Sequence, residues 1–140
     1  MMVKTLLDKN EIKILLNGFL QEFQNCINQS SEPTVSVFEK YLDKHFLIAS
    51  NGKTLANSLV SYFKEIKDFQ KRYSHCEIQL NKEEIVCGDH AFACYYQADL
   101  TTQNDQQHKI YMMVIATLDN DKIKTWKQVT HENSDDDWSL

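Results

Sequence analysis

The side chains that could carry out a reaction are few, and most of them lie in the second half of the sequence. His131 precedes Glu132, and a histidine with a neighbouring carboxylate can act as a general base. Tyr96 and His45 could move a proton in the same reaction. A histidine at a strand end is more often a surface residue, so the catalytic residues stay unknown, with His131, Tyr96 and His45 as candidates.

A metal site is a weaker interpretation. Cys87, His90 and Cys94 fall together in the stretch CGDHAFAC, and such side chains are zinc ligands. The stretch lacks a Cys-x-x-Cys pair and a clear fourth ligand. We therefore expect no metal and no cofactor.

Composition limits the classes of function. The chain has 140 residues, of which 42% are apolar and 25% charged, which is typical of one soluble domain, here residues 1–132 with an acidic tail at 133–140. A net charge of −5 and a single arginine, Arg72, argue against a nucleic-acid partner. No segment approaches the roughly 20 apolar residues of a membrane span, so we expect no membrane partner. Without a signal peptide or a need for disulfides, the sequence predicts a cytoplasmic protein.

The first half of the chain has the apolar spacing of helices. Apolar residues recur at i, i+3, i+4 and i+7 from Ile12 to Ile27, and Asp8 with Glu11 has the spacing of a capping box. Pro33 ends this helix. A short second helix and the short strand HFLIA follow. Thr54 is then the predicted cap of a third helix, with the apolar face Leu55, Leu59, Phe63 and Ile66.

From about residue 73 the spacing becomes that of strands. Four segments rich in β-branched and aromatic residues follow one another, with short turn sequences between them: HCEIQLNKEEIVC, HAFACYYQADL, HKIYMMVIATL and KIKTWKQVTHE. They predict an antiparallel meander. The whole pattern predicts an α+β fold, with three N-terminal helices packed on a strongly curved antiparallel sheet as a cone-shaped α+β barrel.

This order of elements resembles the nuclear transport factor 2-like superfamily. The resemblance rests on the segment YLDKHFLIASNG and the final hairpin LDNDKIKTWKQVTHE, and it spans roughly residues 8–132. The superfamily includes ketosteroid isomerase, SnoaL-like polyketide cyclases and limonene epoxide hydrolase, and it implies a cavity between the helices and the concave sheet face. Because such folds also serve as binding and interaction modules, the resemblance does not select a function.

The resemblance also identifies catalytic groups that are missing. It implies that Ala49 occupies the place of the carboxylate that moves the proton in ketosteroid isomerase, and that Val114 lies at or near the place of its second acid. Neither side chain can transfer a proton. Gln128 and Thr130 are likewise neutral where epoxide hydrolase chemistry needs an acid, so we expect neither activity.

Alternate residues of a strand share a face, which assigns side chains to the cavity wall. In the register that the resemblance implies, the concave face is mostly apolar, with polar groups from Tyr96, Gln128 and Thr130. The expected ligand-binding residues are Trp126, Gln128, Thr130, Tyr96, Phe92, Met112, Val114 and Ala49.

The convex face is also rich in large apolar residues, which are too many to leave in water. We therefore expect a homodimer formed through Tyr95, Tyr111, Met113, Ile115 and Val129. The expected function is the non-catalytic binding of a small, mainly hydrophobic ligand. Two alternatives stay open: an isomerase, cyclase or dehydratase that uses some of the polar residues named above, and a homodimeric interaction module whose cavity is filled by its own side chains.

Overall fold

The computed structural model describes residues 6–29, 34–81 and 84–133. Its helices are α1 (Lys9–Gln29), α2 (Val35–Phe38) and α3 (Leu59–Arg72). Its strands are β1 (Leu42–Ser50), β2 (Lys53–Ala56), β3 (Tyr73–Leu80), β4 (Val86–Cys87), β5 (Ala91–Thr102), β6 (Gln107–Asp119) and β7 (Lys122–Asn133). Apart from Asn133, the predicted acidic tail lies outside the described residues, as does Pro33.

Helix α1 forms as its sequence predicts. The backbone N–H of Glu11 donates to Asp8 Oδ1 at 2.8 Å, and that of Asp8 donates to Glu11 Oε1 at 3.1 Å, which confirms the capping box. The apolar spacing places one face of the helix against the sheet. Its buried residues are Ile12, Leu15, Leu16, Phe19, Leu20, Cys26 and Ile27.

Helix α3 begins later than the sequence predicts. Ser58 is its N-cap: the Ser61 N–H donates to Ser58 Oγ and the Ser58 N–H donates to Ser61 Oγ, both at 3.0 Å. Thr54 lies in β2, so the prediction that it caps the helix was wrong. Within the helix that begins at Leu59, Tyr62 follows Leu59 by three positions and precedes Ile66 by four. The three residues therefore share the buried face of α3.

The sheet has the strand order β2-β1-β7-β6-β5-β3, with β4 also paired to β5. The predicted antiparallel meander of the last three strands is confirmed. Strand β1 runs parallel to β7, however, so the sheet is mixed rather than wholly antiparallel. The segment predicted as one strand over residues 75–87 is divided into β3 and β4, which pair with successive parts of β5. The α+β architecture, with helices packed on a sheet, is confirmed.

The predicted alternation of faces in β5, β6 and β7 also holds. Tyr96, Val114 and Trp126 are buried on the helix side, whereas Tyr95 and Ile115 are exposed on the other side. Leu118 pairs with Ile123 and Thr117 with Thr125, so Lys124 is an extra residue in β7. This bulge allows Ile123 and Trp126, three positions apart, both to be buried.

Candidate ligand-binding cavity

A cavity of about 290 Å³ lies between the helices and the concave face of the sheet. At roughly 30 Å³ per water molecule, this volume corresponds to about ten non-hydrogen atoms. Helices α1 and α3 form one wall, and strands β1, β2, β3, β5, β6 and β7 form the other. The lining is mainly apolar and includes Phe19, Leu20, Phe23, Ile48, Leu55, Ile66, Cys76, Ile78, Ala98, Leu100, Ile110 and Met112.

Trp126 forms the part of the wall beneath α1. Its ring packs edge-on against Phe19, with the ring centroids 5.2 Å apart, and the residue is only 1% exposed. The indole Nε1–H donates to Gln128 Oε1 at 2.9 Å, and Gln128 Nε2 donates to Ser50 Oγ at 3.3 Å. The polar groups of Trp126 and Gln128 are therefore already engaged with each other and with β1.

Two tyrosine hydroxyls border the same cavity. Tyr62 of α3 and Tyr96 of β5 are 4% and 5% exposed, and both line the cavity. Neither hydroxyl forms a hydrogen bond with another described residue, and in the described part of the chain no fully enclosed polar side-chain atom lacks a partner. The two hydroxyls must therefore touch the open space of the cavity.

Burial keeps both phenols protonated. Removal of the ring from water raises the pKa of Tyr62 far above its ordinary value, and the same effect, with a smaller contribution from Cys94, raises the pKa of Tyr96. Tyr62 makes a further, smaller contribution to the raised pKa of Tyr96. At neutral pH they are two hydrogen-bond donors that face one space.

The mouth of the cavity carries charge. Glu65, Phe69 and Arg72 are spaced i, i+4 and i+7 along α3, share one side of the helix and line the cavity. Arg72 Cζ lies 5.8 Å from the ring centroid of Phe69 and 5.6 Å from that of Tyr73. Sequence reasoning missed this stripe, because its access to the cavity depends on how α3 lies across the sheet.

Solved structures of similar shape are found among several small proteins. One assigned as a SnoaL-like polyketide cyclase from Jannaschia sp. CCS1 has a TM-score of 0.70 at 6% identity, over 93% of this chain and 91% of that chain. An LEH-like epoxide hydrolase from M. tuberculosis has a TM-score of 0.65 at 11% identity, over 87% and 84%. An NTF2-like protein of unknown function from Exiguobacterium sp. 255-15 has a TM-score of 0.67 at 10% identity, over 84% and 98%.

The chain shares the NTF2-like fold of these structures. No protein-family model matches the sequence, and no curated protein matches it. At these identities the similarity establishes the NTF2-like fold and leaves the chemistry to be argued from the residues.

The NTF2-like cavity contains some of the predicted ligand-binding residues and excludes others. Trp126, Gln128, Thr130, Tyr96 and Met112 line it. Thr130 is held by Asn51, whose Nδ2 donates to Thr130 Oγ1 at 2.9 Å.

Three predicted positions are not among the lining residues. Phe92 and Val114 are on the concave side, but they are 2% exposed and packed within the core. Ala49 lies between Ile48 and Ser50, both of which line the cavity, so strand alternation directs Ala49 to the other face. Placing Ala49 on the cavity wall was therefore wrong, although the cavity-facing residues of β1 still include no acid.

The histidine candidates lie outside the cavity. His131 and His45 are exposed and neither is among the lining residues. Glu132, the predicted helper of His131, contacts His108 Nδ1 instead, because adjacent residues of a strand point to opposite faces. The geometry therefore does not support His131 or His45 as a cavity base. The described residues include no group of three or more His, Cys, Asp or Glu side chains placed to hold a metal, and no helix among them is long and apolar enough to cross a membrane.

Proposed function

We propose that this chain binds a small, mainly apolar molecule in its cavity and does not transform it. The observation that carries the proposal is the pair of buried tyrosine hydroxyls, Tyr62 and Tyr96, which face the cavity without a hydrogen-bond partner among the described residues. Each hydroxyl borders the open space of the cavity, where a ligand oxygen can accept its hydrogen bond in place of water. In an interaction module whose cavity is filled by its own side chains, the hydroxyls of Tyr62 and Tyr96 would have no ligand to bind.

The lining supports binding over catalysis. Among the described residues that line the cavity, Glu65 carries the one carboxylate, and no histidine is present. The raised pKa values of Tyr62 and Tyr96 make both phenols poor proton donors in a reaction, while leaving them good hydrogen-bond donors. An isomerase, cyclase or dehydratase would need a base, and among these lining residues Glu65 is the one candidate.

The proposal is tested with a neutral ketone that fits the volume. 2-Octanone should bind to the wild-type protein in isothermal titration calorimetry, with its carbonyl oxygen accepting from Tyr96. Tyr96→Phe should weaken binding about two- to tenfold, the scale of one neutral hydrogen bond. Tyr111→Phe, which removes a hydroxyl from the convex face, is the matched control and should leave the affinity unchanged. Absence of binding at millimolar ketone, or equal affinity in Tyr96→Phe, contradicts the proposal.

We also propose that the protein is a homodimer through its convex face. Met113 and Ile115 are each 65% exposed and Val129 is 64% exposed, while Tyr95 stacks on Tyr111 beside them. A contiguous apolar surface of this kind is typical of a self-complementary interface with twofold symmetry.

A cytoplasmic location fits the state of the cysteines. Cys26, Cys76, Cys87 and Cys94 are all free thiols, and three of them are buried. Free buried thiols are typical of proteins from reducing compartments.

A further inference from the structure

We infer that the ligand is an apolar acid whose carboxylate binds Arg72 at the cavity mouth and whose far end carries a keto or hydroxyl oxygen. This inference rests on the proposed function, because it names the class of molecule that the same cavity would take. It joins two observations from separate parts of the cavity: an arginine at the mouth without an acidic partner, and two hydroxyl donors in the interior.

The surroundings of Arg72 leave its hydrogen-bond donors free. The rings of Phe69 and Tyr73 both lie within about 6 Å of its Cζ atom, the range of cation–π attraction. Such contacts restrain a guanidinium through its flat face, whereas its N–H groups lie in its plane and point outward. In the described part of the chain no carboxylate pairs with Arg72. A carboxylate is the partner that matches this planar set of donors.

A purely structural role for Arg72 is the main alternative. Lys71 and Arg72 are both in the last turn of α3, where a positive charge stabilises the helix dipole. Only Arg72 lines the cavity, so the two residues differ in access to a ligand while sharing the electrostatic role. Lys71 is therefore a matched control within the same turn.

Glu65 would repel an acid, but it lies away from Arg72. The two residues are seven positions apart on α3, which at 1.5 Å per residue is roughly 10 Å along the helix axis. That separation is about one Debye length at 0.1 M salt, so the repulsion at the Arg72 end is weak compared with a direct contact.

The carboxylate of the ligand should lie at the cavity mouth rather than in the interior, because removing its charge from water is costly. Arg72 is exposed at the mouth, so an acid bound there keeps part of its hydration. The interior is lined by Phe19, Leu20 and Trp126 and suits an apolar chain. A keto or hydroxyl oxygen at the end of that chain would accept a hydrogen bond from Tyr62 or Tyr96, whereas an all-carbon chain would leave both hydroxyls unpaired.

The experiment compares 7-oxooctanoate with its primary amide, 7-oxooctanamide, by calorimetry. The two probes share the ketone and the chain and differ in the terminal charge. Wild-type protein should bind the acid about tenfold more tightly than the amide, the scale of a charge-assisted bidentate contact. Arg72→Gln should abolish that preference. Lys71→Gln, which removes the same charge from the same turn, should retain it, and Arg72→Lys should retain only part of it because the planar fork is lost.

The outcomes separate this inference from the proposed function. If 2-octanone binds but the acid and the amide bind equally, the assignment to Arg72 is wrong and the binding function stands. The assignment is also wrong if Lys71→Gln and Arg72→Gln lose the preference equally, or if octylamine binds more tightly than 7-oxooctanoate. If none of the probes binds to folded wild-type protein, the proposed function itself fails.

Discussion

Single residues of ordinary type give the cavity its chemistry. Tyr96 could be assigned to the concave face from sequence, because strand alternation fixes its direction. Tyr62 and Arg72 could not be assigned in this way, because their access to the cavity depends on how α3 lies across the sheet. In the sequence, Glu65 and Arg72 have the pattern of charged residues on the solvent-facing side of a helix. Only the tertiary structure brings them to the mouth of the cavity.

The buried phenols and thiols make stability depend on alkaline pH. Burial raises the pKa of both Cys76 and Cys94 from 9.0 to about 12, and it raises the pKa of Tyr62 and Tyr96 from 10.0 in the same direction. The unfolded chain ionises first as pH rises, so the free energy of unfolding is unaffected below about pH 9 and falls above it.

Urea unfolding at pH 8 and pH 10.5 should therefore give a lower free energy of unfolding at the higher pH. Lysines also titrate in this range, so the test is the comparison of variants. Tyr96→Phe removes one buried group and should reduce the difference between the two pH values, whereas Tyr111→Phe on the convex face should reduce it less. An equal pH dependence in the two variants would show that burial of Tyr96 has no part in the effect.

Secondary structure elements differ in how much of them the sequence could predict. The faces of β5, β6 and β7 follow from a period of two that the hydrogen-bonded ladders maintain. The bulge in β7 follows from the spacing of Ile123 and Trp126, two apolar residues three positions apart, which a period of two cannot place on one face. The parallel pairing of β1 with β7 joins segments more than seventy residues apart. No local pattern specifies such a pair, since parallel strands depend on a long crossover connection.

The start of α3 was misassigned because two plausible caps lie close together. Thr54 and Ser58 are both cap-forming residue types, and the second partner of the observed box is Ser61 rather than the usual Glu or Gln. The structure favours Ser58, so Ser58→Ala should lower the free energy of unfolding by about 1 kcal/mol. Thr54→Ala, in an exposed position of β2, should cost less. Chemical denaturation of both variants checks the order, and a larger loss for Thr54→Ala would contradict the observed cap.

At the scale of the whole molecule, the curved sheet has two apolar faces with different surroundings. The helices and the cavity occupy the concave face. On the convex face, Tyr95 pairs with Met113 and Met113 pairs with Val129, so three apolar side chains lie side by side across three strands. Ile115, two residues after Met113 on β6, is exposed on the same face and extends this apolar surface. In the described single chain nothing covers it, and a second copy would present an identical surface by twofold symmetry.

Ile115→Lys should therefore convert a dimer into a monomer, because two lysines would be brought into an apolar interface without partners. Sedimentation velocity at micromolar concentration measures the change in mass. Val60→Lys is the matched control, since Val60 is 73% exposed on α3 on the other side of the sheet, and it should leave the dimer intact. The Ile115→Lys monomer should still bind 2-octanone, because the cavity is built within one chain. A wild-type protein that sediments as a monomer, or a Val60→Lys variant that dissociates as Ile115→Lys does, would contradict an interface on this face.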